Sequence, residues 1–322
     1  MLDKTDTEAQ QREAFHRDVH AGLAKPQQKT LPARWLYDDR GSELFEEITQ
    51  APEYYPTRTE TGILQENAGA IAALFGSEAV ILEYGAGAGI KTEIVLEALD
   101  RPSLYVPIDI SGDFLAASAE RIRERFPDLA VEPVTADFTQ EFDLPGDLPE
   151  AGSRGGFFPG STIGNLDRAE ALAFLKRMRR HVGEGGVAVL GCDLKKDIPT
   201  LIAAYDDAAG VTAAFDLNIL TRINRELGAD IPVESFAHEA RWNEATSAIE
   251  MHLVAREPVT FSIDGRRFAM EEGETIHTEN SRKYDVEGLA ALAKEAGWSL
   301  DEVWTDGKKR FAVMGLKVGS SA

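Results

Sequence analysis

The stretch ILEYGAGAGIKTE, residues 81–93, places Gly85, Gly87 and Gly89 between a run of strand type and a run of helical type. Glycines at such a junction admit positive φ and let backbone N–H groups come close to a ligand at a helix N-terminus. The alternative is a tight turn that holds nothing. A dinucleotide would require a small residue five positions after the first glycine, and Ile90 stands there, so the pyrophosphate fingerprint is broken. A nicotinamide-dependent oxidoreductase is thereby disfavoured. Two further constellations invite a metal. His16 and His20 have the i, i+4 spacing of a helix metal pair, but no Glu follows His16 and no third ligand is evident, so a solvated helix face is expected. Asp206 and Asp207 are read as a helix edge or as supports behind a site, and no metal is expected.

Composition narrows the partners. Against 34 Lys and Arg stand 55 Asp and Glu, a formal charge of -21, which repels a phosphate backbone. No nucleic-acid partner is expected, and acidic stretches such as MEEGE read as solvated surface. Cys192 is alone, so neither an intramolecular disulfide nor a thiolate zinc cluster can form, and a reducing cytoplasm fits. The opening MLDKTDTEAQQREAFHRDVHAG lacks the apolar core of a signal peptide, and no apolar run approaches the roughly 20 residues of a membrane span. The expectation is a cytoplasmic protein without membrane association. A monomer is the working assumption, since no residue pattern speaks to oligomeric state.

At 322 residues the chain is long enough for two domains, because single cores rarely grow beyond about 250–300 residues. Residues 8–24 read as a polar helix, and GSELFEEITQ carries Leu44, Phe45 and Ile48 at helical spacing before APEYYPTRTE breaks the pattern with two prolines. From Thr59 a helix runs through ETGILQENAGAIAALF. Then AVILEY, SLYVPIDI, AVEPVTADF, GGFFPGST and GGVAVLGCDL alternate with IKTEIVLEAL, GDFLAASAERIRERF and RAEALAFLKRMRRHV, the mark of βαβ units and a parallel sheet over roughly residues 60–194. A mostly helical part, DIPTLIAAYDDAAGVTAAFDLNILTRINREL, leads to AIEMHLVAREPVTFSI and RRFAMEEGETIHTE, which look antiparallel. Finally VEGLAALAKEAGW and SLDEVWTDGKKRFAVMGLKV give a helix and two strands that can return to the first sheet as a hairpin. The expected fold is α/β, a Rossmann-like sheet with an inserted second α+β domain. Its division is 60–194 plus 284–322 for the nucleotide and 1–59 plus 195–283 for the acceptor.

Glu83 two residues before the first glycine, together with Asp109 at the end of the second strand, resembles class I S-adenosylmethionine-dependent methyltransferases. That resemblance implies glycines packed on the methionine part of the cofactor, Asp109 accepting hydrogen bonds from the ribose hydroxyls, and Asp137 with Phe138 at the adenine. The alternatives are an N-cap for Asp109, on a helix beginning at Gly112, and a generic strand end for the other two.

LPARWLYDDRGSELFEEIT, PEYYPTRTE, GSTIGN, YDDAAGVTAAFDLNIL, RINREL, IEMHL and IHTENSRKY, spread over about residues 31–285, together resemble the L-histidine Nα-methyltransferases of ergothioneine biosynthesis. The resemblance implies S-adenosylmethionine held at Gly85, Lys91, Asp109, Asp137 and Phe138, and L-histidine held at Tyr54, Asn165, Tyr205, Glu279 and Ser281. Asn165 and Tyr205 would donate to the substrate carboxylate, Glu279 would accept from the imidazole N–H, and Ser281 would bond the other ring nitrogen. Tyr37 and Tyr54 are the candidates nearest the reacting amine. Without the resemblance, Tyr54 and Tyr205 read as core aromatics with a wet hydroxyl, Glu279 as a surface carboxylate and Lys91 as an exposed helix residue. The turn GAGAGIKT departs from the family, which has Ser or Thr and a Glu before the lysine, and this bears on contacts to the methionine carboxylate.

The implied activity is trimethylation of the α-nitrogen of histidine to its betaine, hercynine, with no metal. Methyl transfer from a sulfonium chiefly needs a neutral amine lone pair aligned with the methyl group. Rival readings are a methyltransferase of the same fold acting on another amino acid or small amine, and a cofactor-sensing module without turnover.

Overall fold

The structure is a computed structural model that describes residues 4–319 except 88, 147 and 149–152, so position 88 of the glycine turn lies outside the described residues, as do both chain ends. Two compact units form: one runs up to Tyr55 and resumes over Asp197–Ser281, and the other comprises Pro56–Lys196 and the chain from Arg282 onward.

Helix α1 (Lys4–Leu23) opens the first unit, and its polar sequence carries one apolar stripe. Phe15, Val19 and Leu23 recur every four residues, form one stripe and are buried. After β1 (Lys29–Thr30), α2 (Asp39–Gln50) buries Leu44 and Ile48. Helix α3 (Tyr55–Phe75) starts four residues before Thr59, because Pro56 falls in the first turn, where a missing N–H breaks no helical bond.

The alternating region follows with β2 (Val80–Tyr84), α4 (Ile90–Ala98), β3 (Leu104–Asp109) and α5 (Gly112–Arg125). AVEPVTADF is not one strand. Pro133 lacks a ladder donor, and the run divides into β4 (Ala130–Val131) and β5 (Val134–Thr135). Then come β6 (Arg154–Phe158), α6 (Arg168–Val182) and β7 (Val187–Asp193).

Back in the first unit, α7 (Ile198–Tyr205) and α8 (Val211–Leu227) are separated by a turn whose Gly210 has φ 74°. Strands β8 (Phe236–Asn243), β9 (Ala248–Ala255), β10 (Val259–Ile263), β11 (Arg266–Met270) and β12 (Thr275–Arg282) follow. The chain ends with α9 (Val286–Glu295), β13 (Trp298–Thr305) and β14 (Phe311–Val318).

In the second unit the strand order is β13-β14-β7-β6-β2-β3-β4, with β5 also beside β3. Strands β7, β6, β2 and β3 are parallel, and β14 joins β7 and β13 in antiparallel register as the returning hairpin. This is the Rossmann-like sheet of class I methyltransferases. Strands β2 and β7 are buried along their whole length, as parallel strands covered on both faces must be. The order reverses between β2 and β6, and α/β sheets bind ligands at the carboxyl ends beside such a reversal.

In the first unit, β1-β12-β9-β8 form a mixed sheet and β10-β11 a separate hairpin. Their apolar faces share one core with the helices, including Phe15, Trp35, Leu201, Phe215, Ile219 and Ile249.

Candidate active site

The glycine turn is shaped from beneath by polar groups. Gly85 has φ 71°, and a Cβ placed on it would meet the Phe138 ring at 3.5 Å. Among the described residues a Cβ at Gly87 would meet nothing within 4 Å, so this glycine leaves open room. Glu83 is buried and accepts from the Thr92 hydroxyl at 2.7 Å and from the Tyr105 hydroxyl at 2.5 Å. Burial pushes its pKa up to about 7, against the pull of those two donors. Glu83 therefore fastens α4 to β2 and β3 under the turn.

Lys91, in the first turn of α4, gives its ammonium to Glu60 at 2.5 Å. Glu60, 1% exposed, also accepts the Gly160 amide at 2.8 Å. It ties the start of α4 to the loop after β6. The carboxylate fits because Gly191 on β7 has no side chain: a Cβ there would lie 1.9 Å from Glu60 Oε1. Sequence reading passed over Glu60, whose position in a helix gave no sign of a buried charge.

Asp109 closes β3, and its Oδ1 accepts the Ser111 amide at 2.9 Å. It is not the N-cap of α5; that position belongs to Ser111. Burial raises the Asp109 pKa to about 6, with the Ser111 and Ile110 amides opposing the rise. Asp137 accepts the Thr139 amide at 2.9 Å and its hydroxyl at 2.5 Å, while Phe138 lies edge-on to Phe158 and Phe174. Gly85 and Phe138 thus come together. The Ala136 amide, donating to Asp109 O at 2.9 Å, sets Asp137 and Asp109 on the same sheet edge.

Asn165 ends the 3-10 turn Thr162–Asn165 after β6. The preceding Ser161, at φ 58°, accepts the Asp193 amide on its hydroxyl at 2.9 Å. A Cβ at Gly164 would lie 2.8 Å from the Arg282 carbonyl oxygen, so the chain packs there only without a side chain. Arg282 donates to Leu166 O at 3.1 Å, and the buried Asp193 carboxylate pairs with Lys196 at 2.7 Å and Lys283 at 2.9 Å. GSTIGN and SRKY are therefore parts of one buried polar scaffold that fixes Asn165.

The remaining candidates lie in the first unit. Tyr205 closes α7, with its hydroxyl 2.7 Å from Ser281 Oγ and its ring edge-on to Tyr54 at 5.9 Å. Glu279 and Ser281, two apart on β12, share a face and are 8% and 4% exposed. So Tyr54, Tyr205 and Ser281 are assembled with Glu279 one step along the strand. Glu279 is no surface carboxylate. Tyr37 joins through Phe45, whose ring lies 5.6 Å from Tyr37 and 6.3 Å from Tyr54.

Supports behind this face explain the longer motifs. Asp38 of YDDRGS caps α2 through the Gly41 amide at 2.8 Å and receives Asn218 at 2.7 Å and Arg225 at 2.6 Å from α8. A Cβ at Gly41 would lie 1.8 Å from Leu36 O. Asp207 accepts the Thr212 amide at 2.7 Å and the Val211 amide at 3.0 Å; burial would raise its pKa, but these amides hold it below the usual range. It is a helix-start support.

His238, which sequence reading missed, sets one ring nitrogen 2.7 Å from Asp216 and the other 2.8 Å from Tyr205 O, with both side chains fully buried. Two acceptors facing one imidazole are both satisfied only when it is doubly protonated. Burial alone would lower its pKa, but Asp216 outweighs that and raises it. The imidazolium clamps the end of α7, where Tyr205 stands.

The model of the histidine-specific, S-adenosylmethionine-dependent methyltransferases matches residues 15–318. The chain belongs to that family. This methyltransferase is 40% identical over 300 residues to the histidine N-alpha-methyltransferase of Mycolicibacterium smegmatis, covering 91% of this chain and 92% of that one. It is also 40% identical, over 298 residues and 91% of each chain, to the histidine N-alpha-methyltransferase of Mycobacterium tuberculosis. With ergothioneine biosynthesis protein 1 of Neurospora crassa it shares 28% over 291 residues, 87% of this chain and 32% of the other. S-adenosylmethionine is accordingly the methyl donor of the methyltransferase. Among its described residues no helix is long and apolar enough to cross a membrane.

Proposed function

We propose that the enzyme transfers three methyl groups in succession to the α-nitrogen of L-histidine, giving hercynine, the first step of ergothioneine biosynthesis. The observation that carries this reading is the buried set of Tyr54, Tyr205, Ser281 and Glu279: a carboxylate and hydroxyls on one strand face, edged by aromatic rings. A carboxylate and a hydroxyl side by side suit the two nitrogens of an imidazole, which offers a donor and an acceptor. Tyr205 would hold the substrate carboxylate. Tyr54, with Tyr37 behind it, would face the amine, where hydroxyls bond the free nitrogen and ring faces attract the methylated cation.

When bound, S-adenosylmethionine supplies a methyl group already activated by its sulfonium. The turn fits it: open room at Gly87, the flat Phe138 ring against Gly85, and in Asp109 an acceptor for paired ribose hydroxyls. Asp137 would take the adenine edge. Lys91 would act at the methionine end, in partnership with Glu60. In each round the amine lone pair forms an N–C bond as the C–S bond breaks, and one proton leaves the nitrogen before the next. We assign the cofactor role to the unit Pro56–Lys196 with Arg282 onward, and histidine recognition chiefly to the other unit. A cytoplasmic monomer acting without nucleic acid or membrane accords with the charge of -21 and the lone Cys192.

Mass spectrometry of histidine incubated with enzyme and S-adenosylmethionine tests the reading. Additions of one, two and three methyl groups are expected. Modification of a different amino acid in a parallel panel, with histidine untouched, would overturn the substrate and leave methyl transfer standing.

A further inference from the structure

The i, i+4 histidines of α1 gain in the folded chain what the sequence did not offer them, a third ligand. Asp264 lies on the two-residue turn of the β10-β11 hairpin, where Asp264 and Gly265 both have positive φ, at 47° and 75°. Such a turn fixes its residues closely, because both central positions are left-handed. His16 Nε2 stands 2.7 Å from Asp264 Oδ2, and the rings of His16 and His20 are 4.3 Å apart between centroids. Each of His16, His20 and Asp264 offers a ligand atom, all within 4.8 Å of one another.

His20 adds an independent sign. Its Nε2 is buried and has no hydrogen-bond partner among the described residues, a cost a protein usually avoids unless the atom has another task. Arg266 is a cation near the cluster; its guanidinium lies over the Phe268 ring, 5.1 Å from the centroid.

We propose that His16, His20 and Asp264 form a site for one divalent ion of the zinc class, leaving a further position for water and fastening α1 to the β10-β11 hairpin. Tetrahedral bonds of about 2.0–2.1 Å place ligand atoms roughly 3.3 Å apart, so a pair at the 4.8 Å limit closes by about 1.5 Å while His16 Nε2 and Asp264 Oδ2, now 2.7 Å apart, open by about 0.6 Å. A second cluster, Glu250, His252 and His277, is less suited. The two rings there are stacked at 4.8 Å and 16°, so their in-plane lone pairs run side by side, and His277 Nε2 already donates to Glu279 O.

Tag-free full-length protein is titrated with zinc chloride by calorimetry and with cobalt chloride by visible absorption. One equivalent is expected to bind, with cobalt bands of low coordination number and a raised melting temperature. His16→Ala and Asp264→Asn change side chains that are 41% and 59% exposed, so both variants should fold, and each should weaken zinc on the order of 10- to 100-fold. Methylation of histidine should be unchanged in both. No saturable uptake, or uptake of undiminished affinity in the two variants, would overturn the site; loss confined to a His277→Ala control would move it to the second cluster.

Discussion

The two units meet the problem of buried charge differently. In the cofactor unit each buried carboxylate is answered close at hand: Glu83 by two hydroxyls, Glu60 by Lys91 and the Gly160 amide, Asp193 by two lysines. Those groups brace the turn and the loop from below, and the surface proposed to face the cofactor is left to glycine backbone, Phe138 and Asp109. In the histidine unit the polar groups proposed to meet substrate are themselves buried, and one ion pair, His238 with Asp216, secures the helix end that carries Tyr205. On the proposed reading, the site for a ligand common to many enzymes is built largely from backbone, and the site for one amino acid from side chains that depend on a few supports.

The largest effect should come from breaking the support in the histidine unit. Asp216→Asn leaves a fully buried imidazolium without its anion and should cost about 3–5 kcal/mol, read by urea unfolding at pH 6. The sign with pH follows from the raised His238 pKa. The stabilisation is complete below the unfolded value of about 6.5 and is lost as pH rises through the higher folded value. The gap between wild type and Asp216→Asn should therefore narrow on the alkaline side; a gap independent of pH would refute the charged pair.

Next in size is the substrate face. Glu279→Ala would remove the proposed charge-assisted hydrogen bond to imidazole, about 1.5–3 kcal/mol, and KM for histidine should rise roughly 10- to 100-fold. Melting should stay close to wild type, and S-adenosylhomocysteine should bind as before. Equal losses of histidine and S-adenosylhomocysteine would mean that Glu279 supports the fold instead.

These two residues also mark how far the sequence could be read. The parallel sheet was legible because its strands are continuous apolar runs with helices between them. The exceptions have local causes: Pro133 divides one run, and FAHEARWN, which became β8, turns Phe236, His238, Ala240 and Trp242 to the core, a face whose histidine and small alanine weaken the apolar signal. In α1 a stripe of Phe15, Val19 and Leu23 was hidden among charges. Tyr54, Tyr205 and Ser281 are far apart in the chain, and no periodicity brings them together; only family resemblance named them. His238 and Glu60 carried no signal at all, since a lone histidine in a strand and a glutamate in a helix look the same whether buried or not.

Asp109 sharpens the cofactor side. Its pKa of about 6 is set chiefly by burial, and ribose hydroxyls would favour the carboxylate, so binding should lower it. Affinity for S-adenosylhomocysteine should hold above pH 7 and fall about tenfold by pH 5, as the free enzyme protonates. In Asp109→Asn that slope should flatten while affinity is lower throughout. A wild-type affinity unchanged between pH 7.5 and 5 would remove Asp109 from the ribose.

Gly87→Ala should give the smallest effect and the cleanest separation of turn from site. Gly87 lacks the positive φ of Gly85 and Gly89, and among the described residues an added Cβ meets nothing within 4 Å beyond its chain neighbours, so folding stability should change by less than about 0.5 kcal/mol. If the room beside Gly87 is where the donor's methionine part lies, the same methyl group crowds the ligand. Overpacking of about 1 kcal/mol then appears as a roughly fivefold weaker S-adenosylhomocysteine complex in calorimetry. Stability and affinity both unchanged would mean that the turn is open for another reason, and the backbone-built half of the comparison would have to be sought elsewhere on that sheet edge.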